Sequence, residues 1–357
     1  MKALLYTLLL IVGMTGCTSQ EKTTDIKWKE RNLPEATLVY AYDSLKIDQT
    51  FHLISWNIKD NRICFVTSGM TDRFLSLYEY PGNKKLFECG KIGQGPGEFI
   101  TLNAGEATDG NILLYDIMGR KALIYALKSD SLQIINRLPL YNDEEGLCKP
   151  FTFITQIDRD NYLMKIDDAT ASSWEIANLR EEKAIGSLTN SFRKPNTSYT
   201  PFDFIQCIHD TTLVVAYDYA DRIEYYSIKD NHIRPLFAMG SRKDQSELKD
   251  YDDLMAYYLS VVSQSGYFYC LKSTSGTESG NLIEVYDSEG KAVACHMLDK
   301  EVSSVRFDSE GNLVGYVPDI NQTLLYQFRL RKKIETDAGS PIYLKNVFGL
   351  GYKLECV

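Results

Sequence analysis

The amino-acid sequence predicts an all-β fold, a six-bladed β-propeller of four-stranded antiparallel blades, from three observations. A short turn recurs six times between β-rich runs, with its second residue at positions 61, 111, 161, 211, 266 and 312, a spacing close to 50 residues. A second apolar run follows each turn at a repeatable distance. Most units then add another turn and a fourth strand. Four antiparallel strands in about 40–50 residues is the repeat of a propeller blade.

The turns contain Asp-Asn, Gly-Asn and Ser-Gly pairs between Ile, Leu, Val and aromatic residues, which is typical of β-hairpins. The apolar runs that follow the six turns are Leu75–Tyr80, Ala122–Leu127, Trp174–Leu179, Ile223–Ile228, Leu282–Asp287 and Leu324–Leu330. The clearest fourth strands are Leu132–Leu140, His232–Ala238 and Ala292–Leu298. A pair of β-sandwiches would also have short strands and frequent turns, but the even spacing of six units favours the propeller.

The last unit lacks an outer strand, because Leu330 runs directly into Arg331-Lys332-Lys333. Thr37–Ile47, upstream of the first unit, is a strand-like run without a blade of its own. We therefore expect this N-terminal strand to pair as the outer strand of the sixth blade and close the ring, which would remove an exposed sheet edge.

The N-terminus has the pattern of an export signal. Lys2 precedes Ala3–Met14, a mostly apolar stretch with the length of a signal-peptide core, which is too short for a membrane span. The stretch ends in Met14-Thr15-Gly16-Cys17, which resembles the bacterial lipobox, with Met in place of the usual Leu. Lipidation of Cys17 is expected, and an ordinary secretory signal is the alternative. Acyl chains on Cys17 would anchor the protein to a membrane, on the periplasmic side or at the cell surface.

These patterns divide the chain into four parts. They are a lipoprotein signal peptide (1–16), a polar, flexible tether (17–36), the propeller (37–330) and a C-terminal extension that we expect to pack on the propeller (331–357).

Composition excludes several classes of protein. Apolar residues make up 44% of the 357 residues and charged residues 24%, which is typical of a globular chain. A net charge of −9 argues against binding to nucleic acid, and a mean hydropathy of −0.25 argues against a polytopic membrane protein. The eight Cys residues are too sparse for a disulfide scaffold and form no C-x-x-C pair, so burial as small apolar residues is expected for most of them.

Two motifs carry a resemblance to a known family. Lys91 to Phe99 reads K-I-G-Q-G-P-G-E-F, which resembles the G-x-G-P-G-E-F signature of the TolB-like six-bladed propeller lipoproteins. The hairpins that begin at Asp116 and at Asp218 are similar to the D-x-x-x-R-x-I-x-x-[FY] hairpin of NHL-type propeller repeats. The resemblance covers about residues 37–330. It implies a propeller fold and export more than a reaction, since members of this family mostly lack an assigned activity.

We expect a structural role for the first motif, which comprises Gly93, Gly95, Pro96, Gly97, Glu98 and Phe99. In this interpretation the glycines allow positive φ in a tight crossover between blades, and Phe99 packs inward. A phosphate site is not supported, since Pro96 lacks an N–H donor and Glu98 would repel an anion.

Strand alternation assigns the connections to two faces. The first-to-second and third-to-fourth turns lie on one face and are minimal, with little room for a site. The second-to-third loops and the crossovers between blades lie on the other face, which receives the longest segments (93–102, 141–150, 190–201 and 241–256). Because loops on a rigid scaffold often carry function, the candidate ligand-binding residues lie there: Asp72, Arg73, Asp116, Arg120, Asp218, Asp221, Arg222 and Asp319. Each Asp could instead bond its own turn, and each Arg could pair across it.

Two functions remain open. The first is a membrane-anchored, non-enzymatic module that binds a protein, peptide or carbohydrate through the long-loop face, without a cofactor or a bound metal. The second is a calcium-dependent hydrolase, lactonase or lyase, with Asp116, Asp218 and Asp319 as carboxylate ligands at the central funnel. The absence of catalytic motifs such as H-E-x-x-H and G-x-S-x-G favours binding.

Overall fold

The computed structural model describes residues 26–49, 52–68, 73–128, 131–140, 151–167, 172–189, 204–242, 255–330, 342–347 and 351–356. The predicted signal segment and Cys17 lie outside these ranges, as do most of three long crossovers. Across the described ranges, none of the helical structure is long and apolar enough to cross a membrane. A turn of 3-10 helix, Thr108–Gly110, interrupts the strands.

Two strands precede the first blade, β1 (Thr37–Val39) and β2 (Ala41–Ile47). The first three blades and the crossover strands between blades 1 and 2 then follow. Blade 1 contains β3 (Leu53–Lys59), β4 (Arg62–Thr67), β5 (Leu75–Glu79) and β6 (Lys85–Cys89), and the crossover strands are β7 (Lys91–Ile92) and β8 (Glu98–Phe99). Blade 2 contains β9 (Asn103–Glu106), β10 (Ile112–Asp116), β11 (Lys121–Leu127) and β12 (Leu132–Pro139). Blade 3 contains β13 (Phe151–Gln156), β14 (Asn161–Asp167), β15 (Ser172–Asn178) and β16 (Lys183–Thr189).

The second half of the ring repeats the pattern, and a separate hairpin follows it. Blade 4 contains β17 (Phe204–His209), β18 (Thr212–Tyr217), β19 (Arg222–Lys229) and β20 (His232–Gly240). Blade 5 contains β21 (Tyr258–Gln264), β22 (Tyr267–Lys272), β23 (Gly280–Tyr286) and β24 (Ala292–Val302). Blade 6 contains β25 (Ser304–Phe307), β26 (Leu313–Pro318) and β27 (Thr323–Phe328). The hairpin of β28 (Ile342–Val347) and β29 (Gly351–Cys356) lies in the C-terminal extension, whose packing on the propeller stays a prediction.

The hydrophobic core confirms a closed ring of six blades. It is divided into six clusters, and each cluster lies between two neighbouring blades, including blades 6 and 1. In β10, Leu113 and Tyr115 pack toward blade 3, while Ile112 and Leu114 pack toward blade 1, because successive side chains of a strand point to opposite sides. A pair of β-sandwiches would have two separate cores, so that alternative is wrong.

Tight hairpins join the strands where the sequence predicts them. Asp60 and Asn61 both adopt positive φ (49° and 58°), as do Asp230 and Asn231 (52° and 59°). A two-residue turn with positive φ at both positions matches the twist of the flanking strands, and Asn and Asp tolerate this conformation. Turn chemistry in the sequence therefore fixes the ends of the strands.

The N-terminal strand closes the ring, as predicted, but in two parts. β2 pairs antiparallel with β27 and becomes the outer strand of blade 6, from Ala41 opposite Phe328 to Ile47 opposite Thr323. β1 instead pairs parallel with β24, the outer strand of blade 5. The two strands separate where the backbone N–H of Ala41 donates a hydrogen bond to Asp299 Oδ1 (2.8 Å).

The segment before β1 also differs from the expectation of a flexible tether that extends to residue 36. Its described part begins at Ile26, and Trp28 forms a parallel bridge with Ala238 of β20. Arg31 forms an ion pair with Asp221. The physical reason is that alternating aromatic, cationic and apolar side chains in this segment find partners on blades 4 and 5, which composition alone does not show.

We name the two ends of the ring by their connections. The turn face carries the first-to-second and third-to-fourth turns, and the crossover face carries the second-to-third loops and the crossovers between blades. The crossover from blade 5 to blade 6 is the single residue Ser303, so the long connections are those of the other blades.

Candidate functional site

The G-x-G-P-G-E-F segment forms a compact crossover between blades 1 and 2. The Gly93 N–H donates to the Phe99 carbonyl (2.9 Å), and the Gly95 N–H donates to the Glu98 carboxylate (2.9 Å). Phe99 is fully buried and meets Phe74 edge-to-face, with ring centroids 5.2 Å apart. These internal bonds and the buried ring give the motif a structural role.

The prediction that the glycines of this segment adopt positive φ is wrong. None of Gly93, Gly95 and Gly97 has a positive φ. Gly93 and Gly95 instead leave room for the Glu98 side chain, since a Cβ at Gly95 would lie 2.9 Å from the Glu98 carboxyl carbon and a Cβ at Gly93 would overlap the carboxylate oxygen. A Cβ at Gly97 would meet nothing within 4 Å. The first two glycines thus serve close packing.

The Asp116 carboxylate joins this crossover to blade 2 through hydrogen bonds. Its fully buried carboxylate accepts hydrogen bonds from the backbone N–H groups of Ile100 (2.6 Å), Thr101 (3.1 Å) and Gly119 (2.8 Å), and from the Thr101 hydroxyl (2.8 Å). Burial alone would raise the pKa of Asp116, but these hydrogen bonds lower it below the ordinary value. Asp116 is therefore a stabilising acceptor within the loop.

Other predicted residues lie apart from one another on the crossover face. Asp72 lies outside the described residues, and Arg73, on blade 1, is exposed. Arg120 is exposed and has a φ of 50° in the loop after β10. Asp319, on blade 6, accepts hydrogen bonds from the Ile320 N–H (2.7 Å) and the Gln322 side chain (2.5 Å), within its own loop.

Asp221 and Arg222 do belong to a cluster, at the junction of blades 4 and 5. The Asp221 carboxylate accepts from Arg31 at 2.6 and 2.5 Å and from Lys272 at 2.8 Å. Burial would raise the pKa of Asp221, but the hydrogen bonds and charges of Arg31 and Lys272 lower it to about 2. The neighbouring Asp218 contributes its backbone carbonyl, which accepts from the Tyr257 N–H (2.6 Å).

Two buried carboxylates complete this cluster, and the sequence prediction missed both. Glu224 and Glu284 have no exposed surface. Glu224 accepts hydrogen bonds from Tyr217 and Tyr226 and pairs with Arg222. A sequence pattern could have identified both residues, because Ile-Glu-x-Tyr occurs at 223–226 and again at 283–286, one blade later.

Glu284 repeats this arrangement in blade 5. It accepts from Tyr258 (3.0 Å) and Tyr286 (2.7 Å), and it lies near Lys272 (3.5 Å) and Arg31 (3.9 Å). Burial and the adjacent carboxylate raise the pKa of Tyr258 well above its ordinary value, so the phenol stays a donor. Both phenols donate to Oε2 of Glu284, while Oε1 has Lys272 as its ion-pair partner, and a buried carboxylate is tolerated when such donors and cations surround it.

Metal-binding geometry is not found. Within the described ranges, no three His, Cys, Asp or Glu side chains lie close enough to hold a metal ion. Asp116, Asp218 and Asp319 are therefore not brought together, and they lie on blades 2, 4 and 6. The structure gives no support to the proposed calcium centre.

The cysteines lie where the sequence places them, in strands. Cys64, Cys270 and Cys295 are buried, Cys89 and Cys207 are partly buried, and these five form no disulfide. Burial raises the pKa of the Cys207 thiol to about 12 and that of Cys89 to about 11. They are consequently poor nucleophiles at neutral pH.

The turn face has more room than expected. A cleft of about 500 Å³ lies between blades 1 and 2, lined by Lys59, Asp60, Arg62, Asn111, Leu127 and Lys128 among others. Its wall is mixed in charge, and none of the predicted site residues lies on it.

Several connections of the crossover face carry exposed apolar side chains. Five large ones lie in the crossovers and second-to-third loops of the crossover face and are between 42% and 87% exposed: Ile92, Ile100, Met118, Met255 and Ile320. The other exposed large apolar residues of the described ranges lie in strands or between β1 and β2: Leu38, Tyr40, Tyr42, Ile135, Leu236, Tyr267 and Val293. Contiguous exposed apolar surface is typical of interaction sites, and three of the five residues, Ile92, Ile100 and Met118, lie on the connections of blades 1 and 2.

Comparisons with known proteins agree with this fold. A crystal structure of a protein described as exported, from Bacteroides fragilis, superimposes with a TM-score of 0.55 at 14% identity, over 86% of this chain and 99% of that one. A crystal structure of a member of the DUF4221 family from Bacteroides vulgatus superimposes with a TM-score of 0.56 at 11% identity, over 82% of this chain and 98% of that one. No curated protein matches the chain. At these identities the likeness shows the fold alone.

The family assignment comes from the sequence itself. The profile of DUF5128, described as a 6-bladed beta-propeller, matches residues 53–275, more than half of the chain. This confirms the six-bladed propeller that the resemblance implied, while the closer likeness to TolB-like and NHL-type propellers stays a prediction. The chain belongs to the DUF5128 family of six-bladed β-propellers.

Proposed function

We propose that this protein is an exported lipoprotein, anchored to a membrane through Cys17, whose propeller binds a protein, peptide or carbohydrate through its crossover face. The lipobox-like Met14–Cys17 supports the anchor, and a structural neighbour described as exported is in keeping with it.

The observation that carries the binding role is the set of exposed apolar side chains on the crossover face. Ile100 and Met118 lie in loops that hydrogen bonds to Asp116 hold in place. The Ile100 N–H donates to the Asp116 carboxylate, and the N–H of Gly119, next to Met118, donates to it as well. An ordered loop that displays apolar groups can bind a partner with little loss of conformational entropy. The exposed cation Arg120 adjoins them, so the surface suits a partner with apolar and acidic groups.

Fractionation of cells tests the anchor. The wild-type protein should sediment with membranes and incorporate labelled fatty acid, and the Cys17→Ala variant should lose the label. A variant that stays membrane-bound and still incorporates labelled fatty acid would contradict the assignment of Cys17.

Photo-crosslinking tests the binding face. A photoreactive residue at Met118, on the crossover face, should give discrete adducts in intact cells, and the same residue at Asn231, in a turn-face hairpin, serves as the matched control. Equal adducts at both positions would show that the crossover face is not the binding surface.

A further inference from the structure

The N-terminal segment adds a short strand to the outer edge of blade 4. The Ala238 N–H donates to the Lys27 carbonyl (2.7 Å), and the Lys29 N–H donates to the Ala238 carbonyl (2.9 Å). Trp28 lies opposite Ala238 in a parallel bridge. This is strand addition, in which main-chain hydrogen bonds hold an extended peptide and side-chain pockets select it.

The first pocket holds an indole against two cations. The guanidinium carbons of Arg222 and Arg242 lie 4.8 and 5.3 Å from the centroid of the Trp28 ring. Arg222 is itself fixed by the buried Glu224. Because Trp gives the strongest cation–π contact of the aromatic residues, this pocket prefers an indole.

The second pocket holds a guanidinium. Arg31 makes two parallel hydrogen bonds to Asp221 (2.6 and 2.5 Å) and a third to the Tyr258 hydroxyl (2.8 Å), and Glu284 lies 3.9 Å away. Two carboxylates face Arg31 and Lys272, so the charges balance only when the guanidinium is present. Lys cannot reproduce the bidentate contact.

We propose that the outer edge of blade 4, with these two pockets, is a docking site for an extended peptide that carries Trp and Arg three residues apart. The chain's own residues 27–31 fill it. The segment is thereby a clamp that attaches the N-terminus to blades 4 and 5, in addition to the strands that close the ring.

The clamp also fixes the direction in which the chain reaches the propeller. β20 runs from the turn face to the crossover face, and Lys27–Lys29 run parallel to it, so the chain arrives from the turn-face side. Nine residues separate Cys17 from Lys27, and a fully extended chain spans at most about 35 Å between these two positions. If Cys17 is the anchor, as proposed above, Lys27 lies within about 35 Å of the membrane surface.

Limited proteolysis of the full-length protein tests the clamp in cis. A protease specific for Glu should cut slowly after Glu30 in the wild type and about tenfold faster in Arg31→Ala or Trp28→Ala. Asp221→Asn should show the same increase with an unaltered cleavage sequence. Lys27→Ala is the matched control and should be cut as slowly as wild type, because Lys27 contributes its backbone carbonyl and its side chain is exposed.

A peptide tests the site in trans. A fluorescent peptide of residues 24–36 should bind to the Trp28→Ala/Arg31→Ala double variant, whose site is vacated, and at least tenfold more weakly to wild type. The same peptide with both residues replaced by Ala should not bind. Rapid cleavage of wild type at Glu30, or equal binding of the peptide to wild type and double variant, would overturn the proposal. Neither result depends on lipidation, so failure of the anchor would be seen separately by fractionation.

Discussion

Replacement of Asp116 by Asn tests whether this residue, a candidate for ligand binding in the sequence, is instead part of the scaffold. The substitution keeps the shape but removes the charge and one of two acceptor oxygens, which together accept four hydrogen bonds. A hydrogen bond to a charged group contributes about 1.5–3 kcal/mol, and neighbouring bonds are not additive, so we expect a loss of about 3 kcal/mol. For a domain of roughly 300 residues that lowers the Tm by roughly 5 °C.

Thermal unfolding of Asp116→Asn against wild type measures the effect, with Asp319→Asn as the matched control. Asp319 is fully exposed and its carboxylate accepts hydrogen bonds from Ile320 and Gln322 of its own loop, so its substitution should lower the Tm much less than that of Asp116. The pH dependence gives a second readout. Because folding lowers the pKa of Asp116 below its ordinary 3.8, its stabilisation is present above that pH and is lost as the pH falls further. A variant as stable as wild type at pH 7 would refute the reasoning.

Two further predictions concern packing. Glu224→Gln should lower the free energy of unfolding in urea by about 3 kcal/mol, because it removes the buried negative partner of Arg222, and a loss below about 1 kcal/mol would contradict this role. Gly90→Ala should destabilise by about 2 kcal/mol or more, since Gly90 has a φ of 80° and a Cβ there would overlap the Phe74 ring. Gly97→Ala, where a Cβ meets nothing within 4 Å, is the matched control and should unfold like wild type.

The fold could be predicted because its determinants are local. Two to four residues, such as Asp60-Asn61, are enough to identify each hairpin turn. The alternation of apolar residues continues on both sides of the turn. Closure by the N-terminal strand followed from the missing outer strand of the sixth unit. The division of that strand between blades 5 and 6 depends on a contact with Asp299, which no local pattern reveals.

The site was harder to predict because its partners are distant in the sequence. Arg31 and Asp221 are 190 residues apart, so composition suggested a flexible tether where the structure has a docked segment. Asp116 was predicted to be a candidate ligand-binding residue, but its carboxylate accepts hydrogen bonds from backbone N–H groups and the Thr101 hydroxyl within the fold. Gly93 and Gly95 of the crossover motif provide space for Glu98 instead of the positive φ that the sequence suggested.

The pairing of β2 with β27 makes the ring depend on residues synthesised near the two ends of the chain. Roughly 280 residues separate the paired strands, and bringing such distant segments together carries a loop-closure entropy of about 5 kcal/mol. During synthesis, β2 emerges early and must wait unpaired until the last blade follows. A chain interrupted before Thr323 would leave that strand without its partner and expose sheet edges to neighbouring molecules, so incomplete copies of this propeller are prone to aggregate.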